Sequence, residues 1–91
     1  MFEWNDEKAA LNLEKHGVSF EEVRTVFDDP LYIGFPDPAH SHNEFRFIAI
    51  GQSAQDRLLM VAYTERKDRI RIISAREATP KERRKYVKEN S

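Results

Sequence analysis

Apolar positions along the chain fall into runs of different period, and each change of period marks an element. Phe2–Trp4 reads as a short strand, and Asn5 stands as an N-cap with Asp6 and Glu7 placed against the helix dipole. A helix follows to about His16, with Ala9, Leu11 and Leu13 as its apolar residues and Gly17 suited to end it in the left-handed conformation. Ser19 caps a second helix, SFEEVRTVFDD, whose Phe20, Val23, Val26 and Phe27 lie on one stripe. Glu22, three residues after that serine, completes a capping box, and Asp29-Pro30 stops the helix.

Leu31–Phe35 reads as a strand, and PDPAHSHN has the composition of a surface loop. Three strands with short connections follow at Glu44–Gly51, Arg57–Glu65 and Arg69–Arg76. Thr79-Pro80-Lys81-Glu82 supplies a cap, a proline at the first helical position and a capping-box glutamate, so a last helix runs to about Glu89. There is no internal repeat. The order predicts an α+β fold: an antiparallel meander of about four strands, with the N-terminal helix pair on one face and a C-terminal helix added.

The pleat then sorts the strand residues. A four-residue loop SAQD sets Gln52 against Arg57 and Arg46 against Tyr63, while a loop RKD sets Glu65 against Arg69 and Tyr63 against Arg71. One face gathers Phe45, Phe47, Ala49, Leu58, Met60, Ala62, Ile70 and Ile72 as a core under the helices. The other carries Glu44, Arg46, Tyr63, Glu65, Arg69 and Arg71 at one end and Ile48, Ile50, Leu59, Val61, Ile73 and Ala75 at the other. An apolar end of that size needs a cover, from the protein's own terminus or from a partner. At the polar end Arg46, Tyr63 and Arg71 stand side by side, and two readings are open. They form a platform for phosphate oxygens, which arginine forks match, or a surface lattice in which Glu44, Glu65 and the arginines pair with one another.

Composition bounds the picture without deciding it. Ninety-one residues make a single domain, 1–91, and 40% apolar with 34% charged residues is a globular balance. No apolar run approaches the roughly 18–20 residues that span a bilayer, and the acidic start MFEWNDE is no signal peptide. The chain has no cysteine, hence no disulfide framework, which accords with a reducing compartment; the expectation is a soluble cytoplasmic protein. A formal net charge of −1 conceals a split: residues 1–56 carry four basic and eleven acidic side chains, residues 57–88 eleven basic and four acidic. Either the halves neutralise each other, or the basic half meets an anion such as nucleic acid. His40 and His42, two apart in a loop near Asp37 and Asp28, have no third fixed partner at metal-ligand spacing and read as solvated loop, so no metal and no cofactor is expected.

The stretches FEWNDEKAALNLEKHGVSFEEVRTVFDDP and YTERKDRIRIISAREATPKERRKY, with E-x-R-F at 44–47 between them, resemble the BrnT family of type II toxins. KHGVSFEE, VFDDP, YTER and RIRIISAR carry the likeness, which covers nearly the whole chain. Two places depart from the pattern: Phe47, where tryptophan is usual, and the loop PAHSHNEF. The resemblance implies a RelE-like fold and a ribonuclease that cuts mRNA, arrests translation and is neutralised by a BrnA antitoxin. It further implies promoter DNA bound only through the antitoxin complex, and leaves open whether the ribosome takes part.

Metal-free RNA cleavage turns the 2′-hydroxyl on its neighbouring phosphate. It needs a base for that proton, cations on the phosphorane and an acid for the leaving 5′-oxygen. On this reading Arg46 and Arg71 hold the scissile phosphate, Arg76 assists from the strand end, and Tyr63 stacks on a base or orients the sugar. By strict alternation Arg76 falls on the core side, so it must escape at the strand terminus or through a bulge. Glu65 stands as base unless it pairs with Arg69. His16 stands as acid or base, or as a cation at the last turn of its helix. Arg66, Lys67, Arg69 and Arg84 are the expected RNA contacts. The run Lys81, Arg83, Arg84, Lys85 and Lys88 either tracks an RNA backbone or is the wet face of a helix with Tyr86 and Val87 turned inward. A non-catalytic nucleic-acid-binding module and a protein-interaction or homodimerising module are the competing functions.

Overall fold

The chain runs β1 (Phe2–Glu3), α1 (Asp6–His16), α2 (Phe20–Val26), β2 (Ile33–Pro36), β3 (Arg46–Gln52), β4 (Leu58–Arg66), β5 (Arg69–Glu77) and α3 (Pro80–Glu89), with one 3-10 turn at Pro38–His40. In this computed structural model, which describes residues 1–91, the strands form one sheet in the order β1-β5-β4-β3-β2. The α+β class stands. The four-stranded antiparallel meander is corrected to a five-stranded mixed sheet, because β1 pairs parallel to β5. An open β5 edge leaves backbone groups unpaired; the N–H of Ile70 finds the carbonyl of Met1 at 2.8 Å, which draws the chain's first residues in. No helix is long and apolar enough to cross a membrane.

Local signals place the helices. The Asn5 side chain accepts from the Lys8 N–H at 3.0 Å, and Gly17 ends α1 at φ 68° with its N–H on the Leu13 carbonyl at 2.8 Å. Thr79 and Glu82 make the full capping box of α3. Ser19 caps α2 as expected, accepting from the Glu22 N–H at 3.1 Å. The Glu22 carboxylate does not close a box there. It is buried beneath the β3–β4 connection, where Arg57 forks it and the Ser53 hydroxyl donates to it at 2.7 Å. The Arg57 fork, against the opposing effect of burial, holds that carboxyl below its ordinary range.

Helices α1 and α2 cover one face of the sheet, where Val18, Phe20, Val23 and Val26 pack on Ala49, Leu59, Val61, Tyr63, Ile72 and Ala75. The inward residues of α1 are Ala9 and Asn12; Leu11 and Leu13, expected as its apolar face, are 64% and 52% exposed. Phe45 is also corrected, lying before β3 and 79% exposed. On the second face α3 runs beside β3, and Ile50 is fully buried there. The Tyr86 hydroxyl ties the helix to Asp29 at 2.7 Å, and the Asn90 amide donates to the Leu31 carbonyl at 2.9 Å. The protein's own terminus therefore supplies cover for the apolar end of this face. Ile48, Met60 and Ala62 stay partly open.

Candidate active site

The two hairpins decide which residues share the open face. β3 pairs Arg46 with Thr64 and Gln52 with Leu58, so the connection is residues 53–57 and not SAQD. The Ser53 N–H meets the Arg57 carbonyl at 2.8 Å, and Asp56 takes φ 61°, a left-handed conformation that aspartate tolerates. In the next hairpin Arg66 pairs with Arg69, leaving Lys67-Asp68 as the turn with Lys67 at φ 56°. A one-residue slip turns a strand over. Tyr63 is thus on the helix side, not beside Arg46 and Arg71. It is 6% exposed, with its ring 5.2 Å from Phe27 and 5.6 Å from Phe47, and burial pushes its phenol up to about 12. Thr64 holds the place between the two arginines, and its hydroxyl is the one buried side-chain polar atom without a hydrogen-bond partner.

An irregularity in β5 brings the last arginine onto this face. Tyr63 pairs with Ile72 but Ala62 with Ser74, so Ile73 is an extra residue, a β-bulge. Before it Arg69 and Arg71 point away from α1 and α2; after it Ser74 and Arg76 do. The escape that Arg76 requires is therefore the bulge, and Arg76 stands opposite Met60. Asn12 fastens the strand just there. Its amide donates to the carbonyls of Ala75 and Val18, and its oxygen accepts from the Ala75 N–H, each at 3.0 Å.

A cleft of about 370 Å³ opens above Ile48, Met60, Ala62 and Ser74. Its walls carry Arg46, Arg76, His40, Asp37 and Glu82. Backbone bonds fold the loop against the start of β3: the Asp37 N–H donates to the Arg46 carbonyl at 2.8 Å, and the Arg46 N–H donates to the Ser41 hydroxyl at 2.9 Å. The 3-10 turn between them sets His40 Nδ1 2.9 Å from Asp37 Oδ2. Arg76 forks Glu82 at 2.8 and 3.0 Å and donates to the Glu77 carbonyl at 3.2 Å, so two of its five N–H donors remain. That fork raises the guanidinium's pKa and roots the first turn of α3 beside the cleft. Arg46 is held through its backbone alone, and its side chain makes no hydrogen bond or ion pair.

Arg66, Arg69 and Arg71 form a paired rim, three cations sharing two carboxylates. Glu3 takes Arg71 at 2.9 Å, Arg69 at 3.3 Å and Arg66 at 3.8 Å, while Arg66 forks Glu44 at 3.1 and 2.8 Å. Arg71 first, and Arg69 after it, hold the Glu3 carboxyl below its ordinary range; Arg66 does the same to Glu44. The lattice reading thus describes the rim, with Glu3 rather than Glu65 as the partner of Arg69. Glu65 is exposed on the helix side of β4 and is not beside the cleft. His16 ends α1, which packs on the far face, so the sheet separates it from the arginines. Lys67 is exposed at its turn, and Arg84 lines a groove that runs along α3. Of the expected site residues, Arg46 and Arg76 converge, and Arg71 lies across Thr64 from Arg46. Sequence reasoning missed His40 and Asp37 as site residues. Their signal was D-P-A-H: a proline opening one helical turn brings residues three apart onto the same side.

Fold and cleft together define a small α+β protein whose open sheet face carries arginines beside a histidine–carboxylate pair. Residues 4–82 match the family described as "Ribonuclease toxin, BrnT, of type II toxin-antitoxin system", and the chain belongs to that family. It is a type II toxin, a ribonuclease toxin by family name, and the family implies an antitoxin partner. The crystal structure of the Brucella abortus ribonuclease toxin BrnT, at 1.1 Å resolution, is similar with a TM-score of 0.68. The match has 24% identity and covers 87% of this chain and 97% of that one, a likeness of fold. No curated protein matches the chain.

Proposed function

We propose that this chain, as one toxin domain over residues 1–91, is a RelE-like, metal-independent endoribonuclease that cleaves mRNA in the cytoplasm and is silenced by a BrnA-type antitoxin. The observation that carries the reading is the cleft that brings uncommitted Arg46 together with Arg76 and the His40–Asp37 pair. Arg46 and the two free donors of Arg76 hold the scissile phosphate and stabilise the phosphorane. His40, oriented through Nδ1 by Asp37, removes the 2′-hydroxyl proton through Nε2. The 2′-oxygen bonds to phosphorus, the P–O5′ bond breaks, and solvent in the open cleft protonates the departing 5′-oxygen. The products are a 2′,3′-cyclic phosphate and a 5′-hydroxyl. Arg66, Lys67, Arg69 and Arg71 make a rim whose acid partners are exchanged for RNA phosphates. Promoter DNA is reached only through the antitoxin complex, and neither the ribosome nor a second copy of the chain is needed for the chemistry in the cleft.

The test is end-mapping of a defined RNA incubated with purified protein in chelator, beside a substrate with 2′-deoxy at the cleavage site. Cyclic phosphate ends that vanish with the deoxy substitution support the reading. Tight, salt-sensitive RNA binding with no cutting, on or off the ribosome, sinks it in favour of a binding module.

A further inference from the structure

Along α3 the cations Lys81, Arg84, Lys85 and Lys88 follow the helical spacing i, i+3, i+4, i+7 and line one groove of about 840 Å³ with Phe35 and Ile50 beneath. This is not the helix's outer face, where Arg83 and Val87 stand exposed. Phe35 and Glu82 line both this groove and the cleft, so the two are continuous. Two carboxylates also face it. Glu82 is engaged by Arg76 and the Thr79 N–H, and Glu89 stands at the far end. None of the four cations has an acidic partner within ion-pair distance, unlike the rim arginines. Lys85 Nζ lies instead 4.9 Å over the Phe35 ring.

We infer that this groove is a single-stranded RNA subsite, taking the phosphates that flank the scissile one along α3 and stacking one base on Phe35. The inference rests on the ribonuclease reading above for its substrate class. Unpaired cations at regular spacing beside an aromatic platform are what a single strand requires. A protein partner's interface centre is depleted of lysine and seeks apolar cover, and only two of the nine lining residues are hydrophobic. From Lys81 to Lys88 the helix rises about 10 Å, a track that extends away from the cleft. The base displaces Lys85 from the Phe35 ring and frees that ammonium for a phosphate.

The experiment uses the full chain and a fluorescent 12-nucleotide 2′-O-methyl RNA, which cannot be cut because it lacks the nucleophile. The variant Arg84→Ala/Lys88→Ala is compared with Lys8→Ala/Lys15→Ala, an equal loss of charge on the opposite side of the sheet. The groove variant should lower the slope of log affinity against log salt by about 1.4, and the control by less than about 0.5. Phe35→Leu should weaken binding at least about fivefold with melting unchanged. Equal slopes in the two double variants, no effect of Phe35→Leu, or loss of antitoxin binding alone overturns the inference. Groove-dependent binding by a protein that cuts no RNA upholds the subsite and overturns the ribonuclease reading.

Discussion

Arg46→Ala separates chemistry from folding more cleanly than any other change in the cleft. Its side chain holds nothing in place: the bonds that fix the residue run through its N–H to Ser41 and its carbonyl to Asp37. Removing it leaves no orphaned partner, so stability should move by no more than about 0.5 kcal/mol. The catalytic cost is much larger. A unit charge about 4 Å from the phosphorane, at an effective dielectric near 20, contributes about 4 kcal/mol. Loss of a preformed donor to a developing oxyanion independently gives about 2.7–4 kcal/mol, or a factor of 10² to 10³ in kcat. Arg46→Lys keeps the charge but not the fork and should fall between. Arg71→Ala removes a cation already paired with Glu3 at 2.9 Å, and should cost less than tenfold. The assay is single-turnover cleavage of a fluorophore–quencher RNA, with melting temperature measured on each variant. An Arg46→Ala protein that keeps more than a tenth of the wild-type rate, or an Arg71→Ala protein that loses as much as Arg46→Ala, refutes the placement of the site.

Three further outcomes follow from the interior. Glu22→Gln breaks a buried ion pair at a side chain 2% exposed and should cost about 3 kcal/mol; because Arg57 holds the wild-type carboxyl below its ordinary range, wild-type stability is present near neutrality and lost as pH falls through that depressed value. Its melting curve against pH should be flatter in acid than wild type, and parallel curves would contradict the assignment. Thr64→Val removes the unpartnered buried hydroxyl and should raise stability by about 1 kcal/mol, read as roughly 4–8 °C in Tm; a lower Tm would mean that the hydroxyl has a partner after all. Tyr63 and Tyr86, both pushed up to about 12, keep their protons in the folded state, so stability should be lost as pH rises from about 10 to about 12. Tyr63→Phe should halve that alkaline loss and leave cleavage at neutral pH within about twofold; a large drop in rate would return Tyr63 to the site.

The helices were legible because their signals are local. Asn5, Gly17, Ser19 and the Thr79-Pro80-Glu82 box each act within one turn, and each is where it was expected. Register was not legible, because it hangs on turn conformations that glycine or asparagine usually announces. Here Asp56 and Lys67 adopt positive φ with no such announcement, and each hairpin gained or lost one residue of loop. That put Thr64 rather than Tyr63 between the arginines, and Leu59 and Val61 rather than Met60 and Ala62 in the core. Glu22 misled in another way. Its spacing from Ser19 satisfies a local motif, but burial next to Arg57 and Ser53 offers the carboxylate stronger partners 31 and 35 residues away.

The bulge links these levels, because a polar residue in the core holds up a charged residue in the cleft. Without Ile73 as an extra residue, alternation would carry Arg76 into the layer between sheet and helices, where an unpaired guanidinium is costly. With it, the strand turns over between Ile72, which is buried in the core, and Ala75, which is buried there too. β1 pairs only Ile70 and Arg71, so the edge of β5 beyond it has ladder groups to satisfy, and Asn12 satisfies both of Ala75's while drawing in the Val18 carbonyl. This explains why α1 buries an asparagine where its leucines stay outside. Beyond the bulge Glu82, already engaged with the Thr79 N–H, takes the Arg76 fork, so α3 starts where the arginine emerges. NLEKHGV, RIRIISAR and TPKE, read separately as a helix end, a strand and a cap, are three parts of one device that turns Arg76 outward.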